Sequence, residues 1–251
     1  MELDYRISLW NYGFYARASS LEETVQEIVA AGYGVELHSR WKEEQDLYGC
    51  EQRKRLRMLL RGLRVSLHSG NVTDLEGHGR QIDCAAEVGA DPIVVHTAHL
   101  GISGEPPAYA LAREVLAYAQ SRAVRLALEN GPLPDIRAAL EALPSLSFCL
   151  DVGHCYADGS SIPEFLDAAG ERLIHVHLQD RRPGEKRPWG SGHYRPGAGA
   201  IPREHWQCLA EWIRLRSFRG ALVFEVKPLP PVAVAQGGRA FLAQFFQSPT
   251  G

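Results

Sequence analysis

A closed eight-stranded β/α barrel is the fold predicted for this sequence, on three observations. Its 251 residues are close to the roughly 250 typical of such a barrel. Eight short, β-branched apolar runs alternate with amphipathic stretches along the whole chain. Seven of those eight runs end in His, Asp or Glu, and the C-terminal ends of the strands are where a barrel carries its chemistry.

The predicted strands are Tyr5–Trp10, Gly34–His38, Arg64–His68, Pro92–Thr97, Arg125–Glu129, Ser147–Asp151, Leu173–Leu178 and Ala221–Val226. The first helix, Leu21–Ala31, follows Ser19 and Ser20, carries Glu22 and Glu23 in its first turn, and stops before Gly32, as capping and the helix dipole favour. The remaining helices are Cys50–Arg61, Glu76–Val88, Pro107–Ser121, Pro134–Leu143, Ile162–Ala169, Arg203–Arg216 and Val234–Gln247. A strand after each helix requires crossover connections and therefore parallel pairing. No G-x-G-x-x-G follows the first strand and no phosphate-binding loop motif occurs, which favours a closed barrel over an open nucleotide-binding sheet. No linker divides the chain, so residues 1–251 read as one domain. The long irregular stretch Arg181–Pro202 follows the seventh strand, and loops of that length in a compact domain are usually functional.

Composition narrows the function. A net charge of −3 with 23% charged residues offers no basic stripe for nucleic acid, which makes that partner unfavoured rather than excluded. Five cysteines without a C-x-x-C pair argue against a disulfide framework and a thiolate zinc site, with Cys155 noted for lying beside a proposed ligand. The absence of a leader pattern and of a run of about 18 apolar residues makes a soluble cytoplasmic protein the expectation, with no membrane partner and a homodimer as the default assembly.

The strand ends carry the strongest signal. Glu36 and His38 close the second strand, His68 the third, His96 the fourth and Glu129 the fifth. Asp151 closes the sixth with His154 just beyond; His175 and His177 lie on the seventh, and Glu225 ends the eighth. Taken singly, each histidine reads as a hydrogen-bonded structural residue and each carboxylate as a helix cap as readily as a ligand. Together at one mouth, Glu129, Asp151 and Glu225 would repel, and a divalent cation resolves the repulsion. Mixed His and carboxylate ligands suit zinc, manganese, cobalt or iron, and magnesium is also allowed.

The segments VSLHSG, VVHTAHL, ALENG, FCLDVGHCYADG, IHVHLQDRR, GHYRPGAGAIP and LVFEVKP, in this order on successive strands, resemble the xylose-isomerase-like barrel superfamily over nearly the whole chain. That superfamily holds sugar isomerases and epimerases and the endonuclease IV type of apurinic enzyme (AP endonuclease family 2). Resemblance to its ketose 3-epimerase branch implies one metal held by Glu129, Asp151, His177 and Glu225, with Glu129 and Glu225 as acid and base. It also implies substrate contacts from His154 and from an arginine after the seventh strand, Arg181 or Arg182. Resemblance to the endonuclease branch implies a further metal at His68, His96 and Glu129, and another at His154 and His193. That branch has an aspartate two residues before His193, where this chain has Ser191.

The function expected is thus a metal-dependent isomerase or epimerase of a sugar, sugar phosphate or sugar acid, working through an enediolate. A metal-dependent phosphodiesterase, or a lyase or dehydratase on the same scaffold, stands as the alternative. Substrate contacts are expected from His154, His193, Arg182, Arg195, Lys227 and Glu36, with Trp10, Trp41 and Trp189 as aromatic walls.

Overall fold

The computed structural model describes residues 3–10, 20–41, 45–103, 108–182, 192–227 and 230–246. Eight parallel strands close into a barrel: β1 (Asp4–Ser8), β2 (Gly34–His38), β3 (Val65–His68), β4 (Ile93–Val95), β5 (Leu126–Glu129), β6 (Ser147–Asp151), β7 (Leu173–Leu178) and β8 (Ala221–Phe224). Around the barrel, β1 pairs with β8 and β2, and every other strand pairs with its sequence neighbours. The α-helices are α1 (Leu21–Ala30), α2 (Cys50–Leu59), α3 (Leu75–Val88), α4 (Ala110–Ser121), α5 (Leu133–Ala142), α6 (Val152–Ala157), α7 (Ile162–Ala169), α8 (Arg203–Leu215) and α9 (Pro231–Phe246). The expected helix limits Pro107 and Gln247 fall outside the described residues.

Local chemistry explains the helix starts. Ser20 accepts from the Glu23 amide at 3.2 Å while the Glu23 carboxylate takes the Ser20 amide at 2.8 Å, a reciprocal capping box. Ser161 and Glu164 repeat the device at α7. Asp74 caps α3 through the Gly77 amide at 2.7 Å, and Gly89 ends that helix with φ of 73°, a conformation that glycine adopts without steric cost.

Three features depart from the sequence reading. Strand β4 stops at Val95, because Thr97–Leu100 turns into a 3₁₀ helix. A short antiparallel pair, Arg40–Trp41 with Gln45–Asp46, projects after β2. The helix α6 begins directly at the end of β6.

The strands are covered on both faces, hence their near-continuous apolar runs. Most of the core lies outside the barrel, between strands and helices, where Trp206, Phe148, Phe165 and Phe224 are fully buried. A smaller cluster of Val94, Ala127 and Cys149, with Ile174 against it, is separate. Trp41 belongs to the main core rather than to an aromatic wall of the mouth. All five cysteines are free thiols, and Cys155 donates to the Ser160 carbonyl at 3.3 Å. Among the described residues no helix is long and apolar enough to cross a membrane.

The Phe148 and Phe165 rings stack at 5.9 Å beneath α7. Truncating Phe148 to alanine leaves a cavity that this rigid layer cannot refill. The expected loss is about 3–5 kcal/mol in denaturant unfolding, and a loss below about 1 kcal/mol would show that the layer collapses freely.

Candidate metal centre

The strand ends do converge. Nδ1 of His177, on β7, lies 3.8 Å from Glu129 Oε2, 3.8 Å from Asp151 Oδ2 and 3.9 Å from Glu225 Oε2. His177 and Asp151 have no exposed surface, and Nδ1 has no hydrogen-bond partner. One orphaned imidazole nitrogen facing three buried carboxylate oxygens is a donor set that fits a divalent cation. Ligand atoms bound at about 2.0–2.2 Å from one ion lie about 3–3.5 Å apart, so the observed ring needs only a small contraction.

Asp151 caps a helix with one carboxylate oxygen and faces His177 with the other. Its Oδ1 accepts from the His154 amide at 2.6 Å, capping α6, while Oδ2 faces His177. The cap turns the chain into α6 at once and thereby brings His154 back over Glu129, with Nδ1 2.8 Å from Oε1.

A second cluster shares Glu129. His68 Nε2 lies 3.3 Å and His96 Nδ1 3.6 Å from Glu129 Oε2, and the three residues place donor atoms within ligand distance of one another. His68 is flanked by His38 and His96, with ring centroids 5.2 and 5.0 Å away.

Electrostatics follow from this crowding. Burial alone would raise the Glu225 carboxyl, but attraction to His177 and a hydrogen bond from His193 bring it down to about 2. Glu129 is likewise held well below its usual range, burial being outweighed by His96, His154 and His68. Burial opposes charge on His68, yet Glu129 raises it to about 9. His96 and His38, dominated by burial and by neighbouring imidazoles, fall to about 4 and about 3. Burial also opposes charge on His177, but its neighbours Cys149, Glu36 and Glu225 push its proton affinity well above the usual value. Proton affinity raised in this way on His68 and His177 offsets part of the carboxylate charge.

Above this floor lies a cavity of about 370 Å³ lined by Trp10, His38, His96, Glu129, His154, Arg181, His193 and Glu225, among others. His193 stacks on Trp10 at 4.8 Å and approaches Glu225 at 3.5 Å, with a strained φ of 64°. The strain is held by two backbone bonds: Gln179 Oε1 accepts from its amide at 3.2 Å, and its carbonyl accepts from the Lys227 amide at 2.8 Å.

Several expected substrate contacts are placed elsewhere. The arginine in the cavity is Arg181, almost fully buried, with Nε and Nη1 lacking partners. Arg182 is exposed and lies over the Tyr194 ring at 4.4 Å. Strand parity decides between them, since 175, 177, 179 and 181 share one side while 182 takes the other. Arg195 bonds the Pro196 carbonyl and packs against Gly237 of α9. Lys227 does not line the cavity. Glu36, fully buried beneath His177, is out of a substrate's reach and bonds to His175 instead. Trp189 and Ser191 lie outside the described residues.

The same parity identifies a residue that the sequence reading passed over. Gln179 is fully buried and donates Nε2 to Asp151 Oδ2 at 2.7 Å and to Glu225 Oε2 at 3.4 Å. Its place two residues beyond His177 was the available signal. Asn130, next to Glu129, accepts from the Asp151 amide at 2.5 Å. Asp180 begins the long loop and gathers its return, accepting from the amides of Arg181, Gly197 and Ile201 at 2.8, 3.0 and 3.2 Å.

Comparison with curated protein sequences finds no match. Among solved structures, the chain is similar to a D-tagatose 3-epimerase-like protein, at 16% identity and TM-score 0.74 over 97% of this chain and 98% of that one. It is similar to a 3-keto-D-glucoside 4-epimerase from E. coli, at 18% identity and TM-score 0.71 over 97% and 100%. It is also similar to the IOLI protein with a binding zinc atom, at 14% identity and TM-score 0.73 over 98% and 100%. At these identities the likeness shows the fold. The family model of the xylose isomerase-like TIM barrel matches residues 25–245. The chain belongs to the xylose isomerase-like TIM barrel family.

Proposed function

We propose that this protein is a divalent-metal-dependent isomerase or epimerase of a small carbohydrate. The observation that carries the reading is the ring of Glu129, Asp151 and Glu225 around the unpartnered Nδ1 of His177, set in the floor of a cavity sized for a monosaccharide. Two solved relatives named as epimerases and one holding zinc support it. Glu129, Asp151, His177 and Glu225 would hold the ion, which when bound supplies Lewis-acid polarisation of a carbonyl.

The chain's own groups account for the proton movements. Glu129 and Glu225 both line the cavity and come from strands separated by β6 and β7. One takes the proton from the carbon beside the carbonyl, and the electron pair moves onto the carbonyl oxygen as an enediolate. The other, which has to enter turnover protonated, gives its proton to the opposite face; the proton taken and the proton given cancel, and exchange with solvent resets the pair. His154 Nδ1 holds a proton against Glu129 Oε1 at 2.8 Å, which keeps that carboxylate oriented. The buried guanidinium of Arg181 meets negative charge developing on the substrate oxygen. Trp10, stacked on His193, offers an apolar face to a sugar ring.

The cluster of His68, His96 and Glu129 favours a second reading, a phosphodiesterase with more than one metal. Elemental mass spectrometry of the purified protein separates the two. About one ion per chain supports the isomerase, whereas two or three zinc ions with salt-sensitive binding of abasic duplex would support the hydrolase.

Glu225→Gln should keep the fold yet lose about 10²–10⁴-fold in turnover of an accepted ketose when assayed with enough added metal to load the site. Near-wild-type turnover would sink the acid–base assignment. Arg181→Ala should cost far more in kcat/KM than Arg182→Ala, and equal losses would place the wrong arginine in the cavity. Because His177 holds its proton above the usual range without metal, a cation must displace it. Apparent metal affinity should therefore rise about tenfold per pH unit through neutrality with one proton released. Calorimetry in two buffers reads the proton, and an affinity flat with pH would exclude His177 as a ligand.

A further inference from the structure

We propose that Glu36 is a positioning residue, which holds the His177 ring in the tautomer and orientation that present Nδ1 to the cation. The inference rests on the metal-centre reading above. Glu36 lies on β2, on the far side of the barrel from the ligand strands β5 and β6, and has no exposed surface. Burying a carboxylate there is costly unless several donors meet it. His175 Nε2 lies 2.7 Å from Oε2 and Ser66 Oγ donates to the same oxygen at 3.2 Å. Nε2 of His177 straddles the group, 3.2 Å from Oε1 and 3.4 Å from Oε2, with the hydrogen bond made to Oε2.

An ionised carboxylate only accepts, so the His177 nitrogen facing it carries the proton. A neutral imidazole has one N–H and one lone pair, and the lone pair is then left on Nδ1, the atom that faces Glu129, Asp151 and Glu225. His175 and Ser66 fix Glu36 in place, which explains a histidine, a serine and a glutamate packed together inside the barrel beside the apolar cluster of Val94, Ala127 and Cys149. The alternative occupant of this layer is a second cation, since Cys149, His175 and His177 also lie within ligand distance of one another. The hydrogen bonds that Glu36 receives already engage Nε2 of both histidines, which disfavours it.

The test is cobalt titration of the whole protein, read by the visible d–d bands, for wild type, Glu36→Gln and Glu36→Leu, with circular dichroism and melting to verify folding. Glu36→Leu, lacking the acceptor, should bind cobalt about 10–100-fold more weakly with shifted bands. Glu36→Gln, which can still accept through its amide oxygen, should recover part of the affinity. Unchanged affinity and spectrum in folded Glu36→Leu would overturn the proposal while leaving the metal centre standing; if that variant does not fold, the position of the His177 proton in wild type decides. Nitrogen NMR of zinc-loaded, ¹⁵N-histidine-labelled wild type gives an independent readout: a His177 proton on Nε2 supports the assignment, and one on Nδ1 overturns it. A second cobalt per chain with a sulfur charge-transfer band lost in Cys149→Ser would also overturn it. Wild type that takes up no cobalt sinks both this proposal and the metal reading.

Discussion

Three buried carboxylates facing one imidazole nitrogen set the terms for the rest of the barrel mouth. Like charges in a low-dielectric wall cannot remain ionised without compensation, and each neighbouring polar group can be understood as part of that compensation. His68 and His154 serve Glu129; the α6 amides and Gln179 serve Asp151; His193 and Gln179 serve Glu225.

That demand reaches below the mouth. A barrel interior is ordinarily packed with branched aliphatic side chains. Here the layer under the mouth residues holds Glu36, Ser66 and His175, with Val94, Ala127 and Cys149 as an apolar cluster beside them. Stability is therefore shifted outward, to the strand–helix layer where Trp206, Phe148, Phe165 and Phe224 are buried. This division separates the two layers: the outer one holds the barrel closed, and the inner one hydrogen-bonds the polar residues of the mouth.

The loop after β7 shows how one residue organises an irregular segment. Asp180 pairs through its backbone with Tyr194 and through its carboxylate with the amides of Gly197 and Ile201. The returning chain is thereby pinned beside the barrel, and His193 is carried over Glu225 in a conformation that few non-glycine residues adopt.

The sequence by itself determined the architecture and most of the polar residues that meet at the barrel mouth. Periodicity and parity are local properties, so all eight strands were legible, as were Glu129, Asp151, His177 and Glu225 at strand ends. Parity carried further than it was taken, since it also points Gln179 and Arg181 inward with His175 and His177. Only the tertiary structure decided what depends on which strands lie across from one another. Glu36 has the pattern of a mouth residue, yet the barrel's stagger sinks it beneath His177 on the opposite wall. Arg195 and Lys227 sit on a segment whose path is fixed by Asp180, and no local pattern tells whether such a side chain meets the cavity or α9. The physical reason is that composition and spacing specify the side of a strand, whereas depth in the barrel and the course of a loop are fixed only when distant strands and amides close on one another.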